Sequence, residues 1–423
     1  MLLRVYCSRL SRSRSLMFLA RWLSMLVLLP VSVQAAELHL GARSEIVHPG
    51  KGHEVHLSGP TVTIARDGEV LVGWIAQKEQ GNHLYLARSS AQGHQPVRVN
   101  PDGLDVESLH QSPGLAVGPE GEVYVSWSSS KAKPEGTFFA SDLRLSRPLD
   151  GGQHFESPLR INEDRPISHS FEGLAVTADG TVLVSWIDSR DGWEQAGTYL
   201  ARIGQRGTRV DSVTKLDSDT CVCCRVDVTA GPQETVAVLW RKVFPGNLRD
   251  MVLGFSRDSG RAFASVAQVH ADRWQIAACP HRGGTVGMDR AGHLYVTWYT
   301  EGTKEEPSLL FAVSTDGQRF TPPTRFDQAT ASIPDHPRMA VDAAGRAVVV
   351  WEDATAVRRR VLLRYTADGG ATLSPIHTLS QAIKAYAPHV AVSPTGDFIV
   401  VWHEEQFPAI KTVVQPVQLD EKP

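Results

Sequence analysis

Three cysteines crowd the segment Asp219-Thr-Cys221-Val-Cys223-Cys224-Arg225, the densest soft-donor chemistry in the chain. A fourth, Cys279, lies just before His281. Thiolate and imidazole are preferred ligands of copper and zinc. In an exported protein the same cysteines equally suit disulfides, with Cys221, Cys223 or Cys224 bridging to Cys279. The spacing fits no zinc-finger template, so the pattern gains meaning only where distant segments converge. His110, His169 and His281 are candidates for that convergence, with Asp335-His336 and His389 further on. For any one histidine a structural hydrogen bond is the simpler role. The cluster carries the argument.

The elements that must gather these groups announce themselves through tryptophan. Trp74, Trp127, Trp186, Trp240, Trp298, Trp351 and Trp402 recur at a period of roughly 50–60 residues, the mark of a repeat fold. Each closes an alternating apolar run such as Val123-Tyr-Val-Ser-Trp127, and most follow a glycine turn (Gly68, Gly121, Gly180, Gly292, Gly345, Gly396). A small β unit cannot bury both its faces alone, so the repeat predicts a ring of stacked sheets. The residues from Ser112 to Asn162 illustrate one unit. Strands are expected at Gly114–Val117, Val123–Ser128, Leu143–Leu145 and Pro158–Ile161. The expected fold is all-β, a seven-bladed β-propeller of four-stranded antiparallel blades, with a six-bladed ring as the alternative. The last unit lacks an outer strand. Ser44–His48 resembles the outer strands of other units and is expected to complete it, removing exposed edges.

Aligning the inner strands on Ile64, Val117, Val176, Val228, Met288, Val341 and Val392 places His110, His169, Cys221 and His281 at one shared position, upstream of each anchor. In a propeller such positions face the hub. The expected metal ligands are therefore Cys221, Cys223, Cys224, Cys279, His281, His110, His169 and His336, for copper ahead of zinc.

Residues 1–36 hold arginines up to Arg21, an apolar stretch and Val33-Gln-Ala35-Ala36, the pattern of an export signal cleaved near Ala35 or Ala36. The apolar run is too short for a retained membrane span. Residues 37–423 are expected to form one domain in the periplasm or beyond. The chain has 423 residues, 42% apolar and 21% charged, with net charge −3, which excludes a nucleic-acid footprint.

A second repeated motif carries a family resemblance. Ser256-Arg-Asp258-Ser-Gly260-Arg-Ala-Phe263 recurs as Thr366-Ala-Asp368-Gly-Gly370-Ala-Thr-Leu373, in shortened form as Ser314-Thr-Asp316-Gly317-Gln-Arg-Phe320, and in part as Asp150-Gly-Gly152-Gln-His-Phe155. Asp and Ser cap such glycine turns through their side chains. These resemble the Asp-boxes of the sialidase or BNR-repeat superfamily, over essentially all of the chain after residue 36. The resemblance implies an arginine triad holding a carboxylate, a tyrosine nucleophile with a glutamate partner, and an aspartate acid/base. Arg225, Arg282, Arg338, Tyr386 and Glu172 would supply such a site. The family's N-terminal Phe/Tyr-Arg-Ile-Pro motif is missing; Arg43 stands in Ala42-Arg-Ser-Glu instead. Three readings follow: an envelope protein binding a soft metal, an exo-sialidase or other glycoside hydrolase, or a non-catalytic scaffold for glycan or an envelope protein. A monomer is expected. Trp193 and Trp274 are candidate contacts for a scaffold.

Overall fold

A computed structural model describes residues 36–48, 56–78, 81–89, 95–107, 112–132, 135, 139–149, 154–192, 195–204, 206–302, 306–328, 332–406 and 409–420. Residues 1–35, His110, the partial box at 150–153 and Trp193 fall outside them. Among the described residues there are strands and turns but no α-helix, and no helix long and apolar enough to cross a membrane.

Four strands, His56–Ile64, Val70–Lys78, Gly81–Arg88 and Gln95–Arg98, form an antiparallel sheet in sequence order. Four-stranded sheets recur over 114–160, 169–217, 227–268 and 284–325. The sample unit holds Gly114–Val117, Val123–Ser130, Ser141–Ser146 and Leu159–Arg160, close to expectation. The remaining strands make one larger network. Ile333–Val341, Ala347–Ala354, Arg359–Thr366 and His377–Thr378 are one antiparallel group. Lys384–Val392, Phe398–Gln406 and Ala409–Asp420 are another, touching the first through a single parallel bridge between Arg359 and Lys384. Ser44–His48 pairs with Ala409–Asp420, as expected, and Glu37–Leu40 pairs further along the same strand.

Alternation along the second strands explains the core. Trp127, Trp186, Trp240, Trp298, Trp351 and Trp402 are all essentially inaccessible to solvent. They fill the space between adjacent sheets: Leu239, Met251 and Leu253 of one sheet pack with Val286, Val296 and Trp298 of the next. Burial of the indole leaves its N–H to be satisfied, and an acid does this for Trp186 (Asp188, 3.1 Å), Trp240 (Asp217, 2.8 Å), Trp298 (Asp272, 2.6 Å) and Trp402 (Glu404, 2.9 Å). Trp274 is also core, packed on Tyr299 and under the Arg241 guanidinium, so it offers no exposed contact.

The Asp-box turns close as their sequence predicts. Gly260 N–H donates to Ser256 Oγ (3.0 Å), while Asp258 Oδ1 accepts from the N–H groups of Arg261 and Ala262. Ser314 with Asp316, and Thr366 with Asp368, repeat the arrangement. Gly317 needs its missing Cβ: at φ 74° an added methyl would lie 2.6 Å from the Phe255 ring.

Candidate functional site

The inner strands do not run straight to the hub. Pairing with the second strand slips between Ser58 and Thr61, Ser170 and Gly173, Asp335 and Arg338, and Tyr386 and His389. At each slip one residue is left-handed: Gly59, Phe171, His336 and Ala387, with φ of 56°, 58°, 48° and 52°. These are β-bulges, and proline follows three of them (Pro60, Pro337, Pro388), where no ladder donor is needed. A side chain in this conformation costs on the order of 1–3 kcal/mol, so the surrounding structure must hold it there. The bulges re-aim the chain toward a cavity of about 460 Å³, lined among others by Phe171, Arg225, His281, Arg282, His336, Arg338, Glu352, Arg359 and Tyr386.

Arginine dominates this cavity. Arg225 donates to the carbonyl oxygens of Glu172 and Ser112, both at 3.1 Å. Arg282 Nε donates to Asp335 Oδ1 at 2.9 Å, and its guanidinium lies 4.4 Å over the Tyr299 ring. Among the described residues the Arg338 guanidinium makes no hydrogen bond or ion pair. Burial and the nearby Arg225 pull its pKa down to about 9, against the opposing effect of the Asp227 carboxylate. Burial and the same two arginines keep His389 neutral far below the usual imidazole range. On the other wall, burial pushes the Glu352 carboxyl up, but His336 and Arg359, each 3.5 Å away, hold it below its ordinary value. Glu352 also accepts the Ala387 N–H at 2.8 Å, which pins a bulge to the acid. Burial and the Glu405 carboxylate push the Tyr386 phenol upward, so it stands as a donor, not as a phenolate. Glu172 is buried behind the lining, accepting from Ser128 Oγ at 3.2 Å, and burial raises its pKa.

The cysteines form a second, separate nest. The turn is held by Cys221 N–H on the Arg241 carbonyl (2.8 Å) and Cys224 N–H on the Cys221 carbonyl (3.2 Å). It brings the sulfurs of Cys221, Cys223 and Cys224 within 4.8 Å of one another. Cys221 Sγ lies 2.9 Å from Cys224 Sγ and 3.9 Å from Cys223 Sγ. All three are buried among Phe171, Leu183, Ile187, Val226 and Trp240. Arg249 Nη1 donates to Cys221 Sγ at 3.3 Å. Hydrogen bonding with Cys223 and Cys224, aided by Arg241 and Arg249, holds the Cys221 thiol far below its ordinary value. Its own bond to Cys221 chiefly pushes Cys223 up, and burial does the same to Cys224. Of the three thiols, Cys221 is the one whose deprotonation its surroundings favour. That is a poised soft-donor set.

The remaining candidates lie elsewhere. All four described cysteines are free, so the disulfide to Cys279 does not form: Cys279 is exposed while the trio is buried. His169 is fully buried, its Nδ1 2.6 Å from the Ser141 carbonyl and its Nε2 3.6 Å from Asp188. It ties two sheets together. His281 and His336 line the arginine cavity, apart from the sulfur nest. Sequence reasoning passed over Arg241, Arg249 and Arg359. Arg241 directly follows Trp240, where other repeats carry Ile75, Ser128 or Ile187, an oddity that could have flagged it.

No protein-family profile and no curated relative matches the sequence. Solved structures do. The chain is similar to an ulvan lyase, a polysaccharide lyase bound to a repeat of glucuronic acid and sulfated rhamnose (11% identity, 87% of this chain and 95% of that one, TM-score 0.58). It is similar to a Dyadobacter fermentans protein of unknown function (12%, 90% and 99%, TM-score 0.54) and to a Penicillium chrysogenum α-L-arabinanase complexed with arabinobiose (14%, 89% and 98%, TM-score 0.51). With the Asp-box turns, these likenesses place the fold as a sialidase-like β-propeller.

Proposed function

We propose that this chain is an exported propeller that binds a soft metal ion through Cys221, Cys223 and Cys224. The observation that carries this reading is the convergence of three buried sulfurs within 4.8 Å. Three thiolates suit monovalent copper, whereas a structural zinc site takes four ligands, so copper stands ahead of zinc. Arg241 and Arg249 offset the negative charge that a thiolate cage accumulates. Seven blades are supported by the opposite end of the hub, where segments around Ile64, Val117, Val176, Ala230, Met288, Val341 and Val392 line one common cavity. Ring closure is supported by the packing of Ile46, Leu57 and Trp74 with Val401 and Val414. Export and cleavage near Ala35 or Ala36 rest on the sequence pattern alone. The test is metal uptake by reduced protein: about one equivalent of Cu(I), absent when Cys221, Cys223 and Cys224 are replaced together by serine while the thermal unfolding of the metal-free protein is retained. Unchanged uptake in the triple variant would refute the assignment.

A second reading is favoured by Arg338, whose guanidinium makes no hydrogen bond or ion pair among the described residues. We propose that the arginine cavity takes an acidic saccharide unit, its carboxylate meeting Arg338 and Arg225 in the bidentate manner suited to guanidinium. The similarity in fold to glycan-active proteins supports this ligand class without fixing a reaction. Titration with glucuronate oligosaccharides and a fluorogenic sialoside assay separate binding from turnover. No heat of binding and no turnover would leave the cavity without this role.

A further inference from the structure

We propose that the arginine cavity cleaves acidic saccharides by elimination, with His336 as the base and Tyr386 as the acid. Such a reaction rests on the acidic-saccharide reading, whose ligand becomes the substrate. His336 is fixed in place by its surroundings. Its backbone is left-handed at φ 48°, a strained conformation for a residue with a side chain. Its Nδ1 is closed to solvent and lies 3.5 Å from both Asp335 Oδ1 and Glu352 Oε1. The side chain is nevertheless 40% exposed and lines the cavity, so the open edge of the ring, with Nε2, is what a ligand meets. A carboxylate beside one ring nitrogen orients an imidazole and stabilises its protonated form, leaving the other nitrogen to take a proton. Arg338 follows on the same strand, Ile333–Val341, and lines the same cavity. One strand therefore carries both the carboxylate anchor and the base. Tyr386, at the bulge of the next inner strand, also lines the cavity, and burial keeps the proton on its phenol.

The charge of the cavity selects the reaction. Arg225, Arg282, Arg338 and Arg359 stand in its lining against Asp335 and Glu352. Glycoside hydrolysis passes through an oxocarbenium-like cation, which so positive a site disfavours. Elimination instead builds negative charge on the carbon beside the carboxylate and on the carboxylate itself, where guanidinium groups stabilise it. His336 Nε2 takes the hydrogen of that carbon as a proton. The electron pair left behind forms a double bond to the next ring carbon, whose bond to the glycosidic oxygen breaks. The departing oxygen takes the Tyr386 proton, and water returns the proton on His336 to Tyr386. Nothing is oxidised or reduced overall, and no water is consumed. The substrate class is a uronic-acid polymer linked through the ring carbon next to the one that carries the carboxylate.

The test uses the full chain and oligosaccharides of cellouronate, a linear glucuronate polymer linked in that way. The expected result is a rise in ultraviolet absorbance from the conjugated double bond, with one double bond for every new reducing end. His336→Asn removes the imidazole but keeps a residue that tolerates left-handed backbone. It should slow turnover by about a hundredfold or more while calorimetry shows binding retained. Tyr386→Phe should do the same. Reducing ends without double bonds would assign hydrolysis and overturn the proposal. Binding without cleavage, or unchanged turnover in either variant, would also overturn it. Absence of any heat of binding in the unaltered protein would instead remove the acidic-saccharide reading beneath it.

Discussion

Lowering the pH should loosen this protein where the strand Ser44–His48 meets the last strand, and His48 sets the size of the effect. Its Nε2 lies 2.7 Å from Thr412 Oγ1, and its ring packs edge-on to Trp74 with centroids 4.9 Å apart. The side chain is almost fully buried, and burial lowers its pKa from 6.5 to about 4. In the unfolded chain the imidazole takes up a proton below pH 6.5; in the fold it does not until about pH 4. Stability from this group is therefore complete above 6.5 and lost as the pH falls through that window. At 1.36 kcal/mol per unit, the loss between about pH 8 and about pH 4 is about 3 kcal/mol. Urea unfolding, followed by tryptophan fluorescence at both pH values, measures it. His48→Gln keeps a polar group for Thr412 but cannot titrate, so its pH-linked loss should be smaller by about that amount. If the two proteins lose equal stability on acidification, the neutral buried imidazole is not the cause.

Three further outcomes are expected. Arg338→Lys should weaken glucuronate binding by about tenfold or more, because an ammonium replaces the planar fork, with isothermal titration as the check. Gly317→Ala should cost about 2 kcal/mol or more in thermal unfolding, since the new methyl meets Phe255 at a left-handed φ. Glu352→Gln should lower the His336 pKa, which Asp335 and Glu352 now raise against the effect of burial, and NMR titration of the ring reports the shift directly.

What sequence could reveal depended on whether the signal was local. The tryptophan spacing and the Asp-box residues act within one sheet or one turn, so Gly114–Val117 and the capped turn at Ser256 appeared where expected. The cysteine trio was legible for the same reason: one tight turn gathers all three sulfurs. The shared position of His110, His169, Cys221 and His281 was a weaker guide, because a bulge reverses which side chains face inward. His169 stands before the slip at Ser170 and points into the neighbouring sheet. Arg338 stands after the slip at Asp335 and, like Arg225, reaches the cavity. Nothing in a one-dimensional alignment marks where that reversal falls. Arg249 was invisible for another reason. Its partners, Cys221 and Ala278, lie far from it along the chain on either side.

Among the described residues, both N-terminal strands pair with residues 409–420 and with no other strand. During synthesis they must wait, unpaired, until nearly every other residue has left the ribosome. A chain ending before residue 409 would carry two orphaned β segments and leave Phe398–Gln406 as an exposed edge of the last sheet. Such late assembly leaves the pairing of this last sheet to the end of synthesis.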